Sequence, residues 1–296
     1  MINYVLNDPE LSKEYKIRAV TRNVNSEKSK QLAEKVEVVQ GDVDNRASLE
    51  TALSGAHTVF AMTTPAFGPD ALEVEYNIGK TIADVTVEKR AEYIIFSTLT
   101  PVNEISGGKY PNVTAFDAKA KIEQYIRGLQ IKSAFFAGGF FMENIQDPSQ
   151  AFLAPQPAPN GTWVLARPLS PKTKLPYLDA VGDAGKFVGA ILADPDKYEG
   201  KVFHAAAALY SLEEIAAILS KASGKTVIYK QISPEEFKKT IPYMVELFMD
   251  AFQFVEEYGG YFGPDTEKLV AWAVENARGR LTTFEEYFEA HPLQLV

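Results

Sequence analysis

Short apolar runs rich in β-branched residues alternate with amphipathic stretches over the first 140 or so residues of the chain. Each apolar run is long enough for one strand, and each amphipathic stretch has apolar residues at helical spacing. Strands that alternate with helices in this way are typical of βαβ units on a parallel sheet. The strands predicted from this pattern are 16–21, 36–40, 57–62, 92–97 and 132–136.

Helices are predicted between these strands, and local signals mark several of their ends. The helices span 26–35, 45–53, 70–89 and 114–127. Ser26 is suited to cap the first of them, because its hydroxyl can accept an otherwise unpaired backbone N–H. Gly55 and Gly128 are suited to helix C-termini. Links this short require right-handed crossovers, which place a ligand crevice at the carboxyl ends of the strands.

A second, smaller lobe is predicted after residue 145, where a Pro-rich connection interrupts the alternation. Strands are expected there at 163–166, 202–204 and 226–231, with helices at 183–192, at 211–220 and up to the C-terminus. The predicted fold class is therefore α/β, with a doubly wound parallel sheet in residues 1–145 and a smaller α/β lobe in residues 146–296. Some segments of the second lobe are expected to return to the first domain.

The start of the chain differs from that of a usual dinucleotide-binding domain. Such a domain opens with a central strand and a Gly-rich turn, whose bare backbone lets a pyrophosphate approach a helix N-terminus. Here the first glycine is Gly41, and residues 2–6 have the pattern of the back end of a helix. We therefore expect a sheet without its opening strand and without most pyrophosphate contacts. The alternative is a complete fold that never bound a dinucleotide.

Composition and charge exclude several classes of protein. The chain has no cysteine, which excludes disulfides and thiol chemistry. No apolar stretch reaches bilayer length, and a net charge of -9 would repel a phosphate backbone, so neither a membrane nor a nucleic acid is an expected partner. His57, His204 and His291 show no metal-ligand spacing, so no metal site is predicted. The expected location is the cytoplasm, the nucleus or both.

Thr21, Arg22 and Asn23 end the first predicted strand, where the adenosine ribose of a dinucleotide would lie. An arginine at this point accommodates the 2′-phosphate of NADP, whereas an acidic residue would bind the 2′-hydroxyl of NAD. NADP is therefore the predicted cofactor. The alternative is that Arg22 only solvates the end of a strand.

Two further pairs of residues follow predicted strands. Gly41 and Asp42 follow the strand at 36–40, and Thr63 and Thr64 follow the strand at 57–62. Thr63 and Thr64 would line the cofactor crevice if the strands are ordered as expected. A Gly-Asp pair alone is more often only a turn.

The chain resembles the NmrA-like family, an atypical branch of the short-chain dehydrogenases. The stretches concerned are Arg-Ala-Val-Thr-Arg-Asn at 18–23, the Gly41-Asp42 loop, the lysine-containing helix at 118–126 and Phe-Phe-Met-Glu-Asn at 140–144. The resemblance runs nearly end to end and includes 183–188 and 195–201 in the second lobe.

The resemblance implies a Rossmann-like NADP domain that forms a cleft with a smaller C-terminal lobe. It places Gly41 and Asp42 against the adenine, and Lys119 at the nicotinamide ribose or, in the isoflavone-reductase-like branch, as a general base. It also implies redox-linked regulation of partner proteins such as a transcription factor, since the fungal founding members bind GATA-type factors.

The proton donor of ordinary short-chain dehydrogenases is missing. Their catalysis needs a tyrosine four residues before the lysine, because the ammonium lowers the pKa of the phenol while a serine positions the carbonyl. Here Ala115 lies four residues before Lys119, and only Ser97 remains as a candidate positioning hydroxyl. Loss of a positioned acid costs about 10²- to 10⁴-fold in rate. Tyr110 is the nearest earlier phenol, but we expect it off the helical face of Lys119.

The leading hypothesis is an NADP-sensing regulatory protein without efficient dehydrogenase turnover. One alternative is an NADP-dependent reductase of the isoflavone-reductase-like type that uses Lys119, and another is a chain that binds no nucleotide because the opening strand is absent. If Lys119 neither binds the cofactor nor takes part in catalysis, the expectation is a solvated lysine on the surface of its helix. The aromatic residues between 243 and 262 predict either the core of the second lobe or a partner groove.

Overall fold

The computed structural model describes residues 1–295 of the chain. Its strands are β1 (Arg18–Thr21), β2 (Glu37–Gln40), β3 (Thr58–Ala61), β4 (Tyr93–Thr98), β5 (Lys132–Gly138), β6 (Phe140–Phe141), β7 (Gln156–Pro157), β8 (Trp163–Arg167), β9 (Lys174–Leu178), β10 (Val202–Ala205), β11 (Ala208–Ser211) and β12 (Val227–Gln231). Its α-helices are α1 (Ile2–Asn7), α2 (Leu11–Glu14), α3 (Glu27–Ala33), α4 (Arg46–Leu53), α5 (Ala71–Glu88), α6 (Val102–Ile105), α7 (Thr114–Arg127), α8 (Ala184–Ala193), α9 (Leu212–Ser223), α10 (Pro234–Lys238), α11 (Val245–Glu257), α12 (Thr266–Asn276) and α13 (Phe284–Ala290). Two 3₁₀ helices lie at Met142–Ile145 and Pro148–Leu153.

Two parallel sheets dominate the N-terminal half. β1 and β2 form one sheet, with Arg18 opposite Glu37. The other has four strands in the spatial order β10-β5-β4-β3. Because β10 lies beyond residue 145, a segment of the C-terminal half completes the sheet of the N-terminal half. Between β1 and β3, residues 1–295 contribute no strand, and the two sheets are not hydrogen-bonded to each other.

Helices cover both faces of the four-stranded sheet. Val59 and Ile94 point to the face covered by α4, α5 and α7. The next residues along the strands, Phe60 and Ile95, point to the opposite face, which is covered by α8 and α12. Successive side chains of a strand alternate between the two faces, so the sheet is buried on both sides as in a doubly wound α/β fold.

Two glycines allow close packing of helices on these faces. A Cβ at Gly79 of α5 would lie 2.4 Å from Cδ1 of Ile122 on α7. A Cβ at Gly185 of α8 would lie 2.4 Å from Cβ of Tyr4 on α1. The N-terminal helix is therefore seated directly on the helix that covers the sheet.

Two small sheets lie around a separate apolar cluster, and all of their strands except β6 belong to the C-terminal half. Their strand orders are β11-β9-β6 and β12-β8-β7. Leu165, Leu219, Phe237 and Phe252 are buried in this cluster. The aromatic residues between 243 and 262 therefore belong mainly to the core, although Tyr243 keeps 40% of its surface exposed.

Most of the elements predicted in the first half are present, with small shifts at their ends. Helix α7 matches the predicted span, and Ser26 caps α3 by accepting the backbone N–H of Ser29. Strand β5 extends two residues beyond the predicted end, because Ala137 and Gly138 pair with β10. Strand β9 was not predicted, since a proline inside a strand removes a ladder hydrogen bond and Pro176 argues against one.

None of the helices within residues 1–295 has the length and apolar character needed to cross a bilayer.

Candidate functional site

A cavity of about 830 Å³ lies between β1 and β3, and residues at the carboxyl ends of both strands are part of its lining. The predicted site residues along its wall are Thr21, Arg22, Gly41, Thr63 and Thr64. The structure therefore brings together five of the residues chosen from the sequence. The other four, Asn23, Asp42, Ser97 and Lys119, do not line the cavity.

Arg22 is a free cation on the wall of this cavity. It lies just beyond β1 and is exposed, and within residues 1–295 it forms no salt bridge. Arg18 at the start of the same strand is different, because its Nε lies 2.8 Å from Oε2 of Glu37. Arg22 is therefore available to an anionic group, whereas Arg18 already has a carboxylate partner.

Gly41, Asp42 and Asn23 have local structural roles. A Cβ at Gly41 would lie 2.5 Å from Cγ1 of Val20 and 3.0 Å from Cβ of Ala52, so only glycine fits there. Oδ1 of Asp42 accepts the backbone N–H of the residue two positions later, at 3.1 Å. Oδ1 of Asn23 does the same at 3.0 Å. Both side chains thus stabilise the turns that follow their strands.

Lys119 belongs to a closed buried cluster with Thr63 and Glu75. Its Nζ donates to the carbonyl oxygen of Thr63 at 2.7 Å, to the Thr63 hydroxyl at 2.8 Å and to Oε1 of Glu75 at 2.5 Å. The Thr63 hydroxyl in turn donates to Oε1 of Glu75 at 2.6 Å. An ammonium has three N–H groups, so these three acceptors occupy all of them.

The electrostatics of this cluster follow from its burial. Lys119 is 7% exposed and Glu75 is 1% exposed. Burial lowers the pKa of Lys119, while the hydrogen bond and the charge of Glu75 oppose that shift. Lys119 is therefore not a solvated helix lysine. It forms a buried ion pair whose hydrogen bonds are made inside the protein.

Sequence reasoning missed Glu75, although a signal was present. Glu75 lies on the buried stripe of α5 together with Ala71, Gly79 and Ile82. A carboxylate at this position of an apolar stripe indicates a buried partner of opposite charge, because an unpaired buried charge is costly. Only the fold shows that the partner is Lys119, 44 residues away along the chain.

Ser97 and Tyr110 do not join Lys119. Ser97 is half-buried in β4 opposite Phe136 of β5, and no hydrogen bond links it to Lys119. The Tyr110 hydroxyl donates to Oε2 of Glu257 at 2.5 Å, and its ring packs edge-on against aromatic rings of the C-terminal half. Tyr110 thus serves the contact between the two halves.

The part of the chain that the structure describes holds no cluster of His, Asp or Glu side chains suited to a metal ion.

Comparison with known proteins gives a consistent result. The model of the NmrA-like family matches residues 3–288 of the chain. Among its relatives, the NmrA-like family domain-containing oxidoreductase FrzB of Cladobotryum sp is 28% identical, over 85% of this chain and 80% of its own. The nitrogen metabolite repression protein nmrA of Emericella nidulans is 30% identical, over 77% of this chain and 64% of its own.

Solved structures agree on the fold. The crystal structure of NmrA, a negative transcriptional regulator, in complex with NADP covers 93% of this chain and 90% of its own, with a TM-score of 0.73 and 24% identity. The structure of the same regulator with NAD has the same TM-score, 0.73. The fold is therefore Rossmann-like α/β with a parallel sheet. Since the family model also matches nearly the whole length, the chain belongs to the NmrA-like family.

Proposed function

We propose that this protein is an NADP-sensing regulatory protein of the NmrA-like type, without efficient dehydrogenase turnover. The closed cluster of Lys119, Thr63 and Glu75 is the observation that carries this proposal. An ammonium whose three N–H groups are all donated inside the protein has none left for a substrate or a neighbouring phenol.

The absence of a positioned acid supports the same proposal. Ala115 lies one helical turn before Lys119 on α7, where ordinary short-chain dehydrogenases need a tyrosine. Tyr110, the nearest earlier phenol, is bound to Glu257. Without a proton donor, carbonyl reduction at this site is expected to be slower by about 10²- to 10⁴-fold.

Arg22 supports NADP as the ligand that is sensed. Its exposed guanidinium lies at the end of β1, where the planar fork of an arginine fits a 2′-phosphate. The residues present therefore fit the adenosine 2′-phosphate. They do not fit the pyrophosphate equally well, since Gly41 is the only glycine among the described residues that line the cavity and is needed for packing against Val20 and Ala52. The reduced form, NADPH, would supply a hydride when bound, and Lys119 would reach its ribose only by giving up one of its three present hydrogen bonds.

The 2′-phosphate contact is tested by calorimetric titration with NADP and with NAD. For the Arg22→Ala variant we expect binding of NADP that is weaker by about 10- to 150-fold and unchanged binding of NAD, because a charge-assisted hydrogen bond is worth about 1.5–3 kcal/mol. Lys172→Ala removes an exposed cation in the C-terminal half and serves as the matched control. Equal NADP affinity in the Arg22→Ala variant and the parent would contradict the role of Arg22. Binding of neither dinucleotide would favour the alternative in which the chain binds no nucleotide.

The lack of turnover is tested by following NADPH oxidation with a broad panel of carbonyl and quinone substrates. We expect rates close to the buffer background with every substrate. Robust oxidation of NADPH with any one of them would overturn the regulatory proposal.

A second candidate function is an NADP-dependent reductase of the isoflavone-reductase-like type. The observation in its favour is that burial lowers the pKa of Lys119, which moves the amine toward the neutral form of a general base. The name of the relative FrzB, an oxidoreductase, points the same way. In this case we expect Lys119→Ala to abolish turnover and to leave binding of a regulatory partner protein largely intact. The variant and the parent are compared at equal folded fraction.

The regulatory role implies a protein partner. The description of NmrA as a negative transcriptional regulator supports a transcription factor or another regulatory protein in that role, with the cytoplasm or nucleus as the place of action.

A further inference from the structure

A further cavity, with a space of about 20 Å³, lies where β6, β8, β9 and α11 meet. Most of its walls are apolar side chains, such as Leu153, Leu175 and Phe252. Arg167 and Tyr177 lie among them and bring polar groups to the same small space. A few polar groups within apolar walls are typical of sites that bind small molecules.

Arg167 is a buried cation without an opposite charge. It is 6% exposed, and within residues 1–295 its hydrogen bonds go only to backbone carbonyls and no carboxylate lies close to it. Burial lowers its pKa to about 10, so the guanidinium remains charged at neutral pH. A buried charge that no opposite charge offsets is costly. An anion in the adjacent cavity would reduce this cost.

Two N–H groups of the Arg167 guanidinium remain available to such an anion. Nη1 donates to the carbonyl oxygens of Phe152 at 3.3 Å and Ala166 at 2.7 Å. Nη2 donates to the carbonyl oxygen of Leu153. An arginine has five N–H groups, so the N–H of Nε and one N–H of Nη2 have no acceptor within residues 1–295.

The hydroxyl of Tyr177 is a third available donor. Tyr177 is 8% exposed, and its hydroxyl makes no hydrogen bond within residues 1–295. Burial raises its pKa to about 12, against the opposing effect of the nearby Arg167 charge, so the phenol keeps its proton. Neither this hydroxyl nor Nε of Arg167 is fully enclosed by protein atoms, although both side chains are buried and line the cavity. Both donors are therefore reached through the cavity.

The size and the lining of the cavity restrict the kind of anion. A space of about 20 Å³ exceeds the roughly 10–15 Å³ that one water needs, but it is too small for a tetrahedral phosphate. Neighbouring N–H groups of an arginine form a planar fork that matches the two oxygens of a carboxylate. The lining is most accessible at Phe140, which is half-buried, and at Phe141, which is 40% exposed. The apolar body of a ligand would contact these two rings.

We propose that this cavity binds the carboxylate of a small organic acid whose apolar body packs on Phe140 and Phe141. Nε and Nη2 of Arg167 donate to the two carboxylate oxygens, and the Tyr177 hydroxyl donates to one of them. The site shares no described lining residue with the cavity between β1 and β3. It lies beyond the nucleotide function proposed above and does not depend on it.

Benzoate is the probe, and benzamide is a neutral control of nearly the same shape. Calorimetric titration of the full chain without nucleotide is expected to show saturable binding of benzoate and binding of benzamide that is weaker by at least about 10-fold, because a hydrogen bond to a charged group is the stronger one. The Nε–H resonance of Arg167 in ¹⁵N spectra is expected to shift with benzoate only. Since no nucleotide is present, failure of this experiment leaves the role of Arg22 untouched.

A pair of matched variants locates the binding. Tyr177→Phe removes a hydroxyl without a partner in residues 1–295, and it is expected to weaken benzoate binding by about 10- to 150-fold. Tyr198→Phe is the control, because Tyr198 is also buried but its hydroxyl lies 3.2 Å from Oδ1 of Asn276, outside the cavity. It is expected to leave benzoate binding unchanged. Arg167→Met would also free three backbone carbonyls, so the test uses Tyr177, and thermal unfolding shows whether both variants remain folded.

Four results would overturn the proposal. Equal affinity for benzoate and benzamide would mean that the charge is not recognised. Undiminished benzoate binding by a folded Tyr177→Phe variant would place the ligand elsewhere. If chloride shifts the Arg167 resonance and binds as tightly as benzoate, the cavity takes a small inorganic anion only. If neither anion shifts this resonance, the cavity holds only water.

Discussion

At the scale of single residues, the buried ion pair of Lys119 and Glu75 is the unusual feature. Two charges removed from water are stable only when their attraction and their hydrogen bonds offset the loss of hydration. Thr63 provides this compensation by contributing both its carbonyl and its hydroxyl to Lys119 and by donating to Glu75. The cluster therefore holds the end of β3, helix α5 and helix α7 together.

The pair is expected to be strongly coupled. Lys119→Met or Glu75→Gln alone leaves one buried charge without its partner and should lower the free energy of unfolding by about 3–5 kcal/mol. The double variant leaves neither charge, so its loss should be smaller than the sum of the two by on the order of 2 kcal/mol. Urea unfolding of the four proteins measures this difference. Additive losses would mean that the two charges do not stabilise each other.

A site residue can be identified from the sequence only when its neighbours along the chain indicate its role. Arg22 was placed correctly at a strand end because strand position is a local pattern, and the structure leaves it without a carboxylate. Lys119 was found through a family resemblance. Its partners were not found, because Thr63 and Glu75 meet it only through the packing of three separate elements.

At the scale of elements, the packing of α5 on α7 depends on Gly79. The side chain of Ile122 occupies the space that a methyl group at position 79 would need, with its Cδ1, Cγ1 and Cγ2 atoms all within 2.8 Å of an added Cβ. Ile122 is itself fully buried, so it has little room to move.

Gly79→Ala is therefore expected to destabilise the protein by about 1–3 kcal/mol, although alanine favours helices over glycine. In the background of Ile122→Ala, where the clash is removed, the same change should be neutral or stabilising. Thermal or urea unfolding of the four proteins checks both statements. A stabilised Gly79→Ala single variant would show that the helices can move apart at no cost.

Helices and strands were predicted correctly where the apolar residues repeat with one clear period. They were missed where pairing with distant strands decides the local structure. The amphipathic repeat predicted α7 to the residue, and Ser26 marked the start of α3. Strand β9 contains Pro176, yet it lies between β11 and β6 because both neighbours pair with it. The secondary-structure preferences of residues 174–178 alone do not reveal that two other strands pair with them.

At the scale of the whole molecule, the two halves of the chain are joined by more than a linker. β10 pairs with β5, and Trp272 of α12 packs on Phe203 of β10 with ring centroids 4.9 Å apart. Nε of Arg278, after α12, lies 2.8 Å from Oδ2 of Asp8, close to the N-terminus. The sheet of the first half thus depends on segments from the second.

A chain of residues 1–145 alone is therefore expected not to fold cooperatively. It lacks β10 and α8, so the edge of β5 and one face of the sheet would be bare. Near-ultraviolet circular dichroism and urea unfolding should show no fixed aromatic environment and no sharp transition, with the full chain as the control. A cooperative transition in the fragment would show that the first half is an independent domain.

The pairing of β10 with β5 also affects how the protein forms during synthesis. Strand β5 ends at Gly138, but β10, which pairs with one of its two edges, begins only at Val202. The helix that covers β10, α12, ends at Asn276. A ribosome extends a chain at about 5–20 residues per second, so the edge of β5 that pairs with β10 stays open for several seconds before β10 is made. Native structure can be completed only after α12 has left the ribosome, and a cell in which translation stalls in this interval would hold a molecule that depends on chaperones.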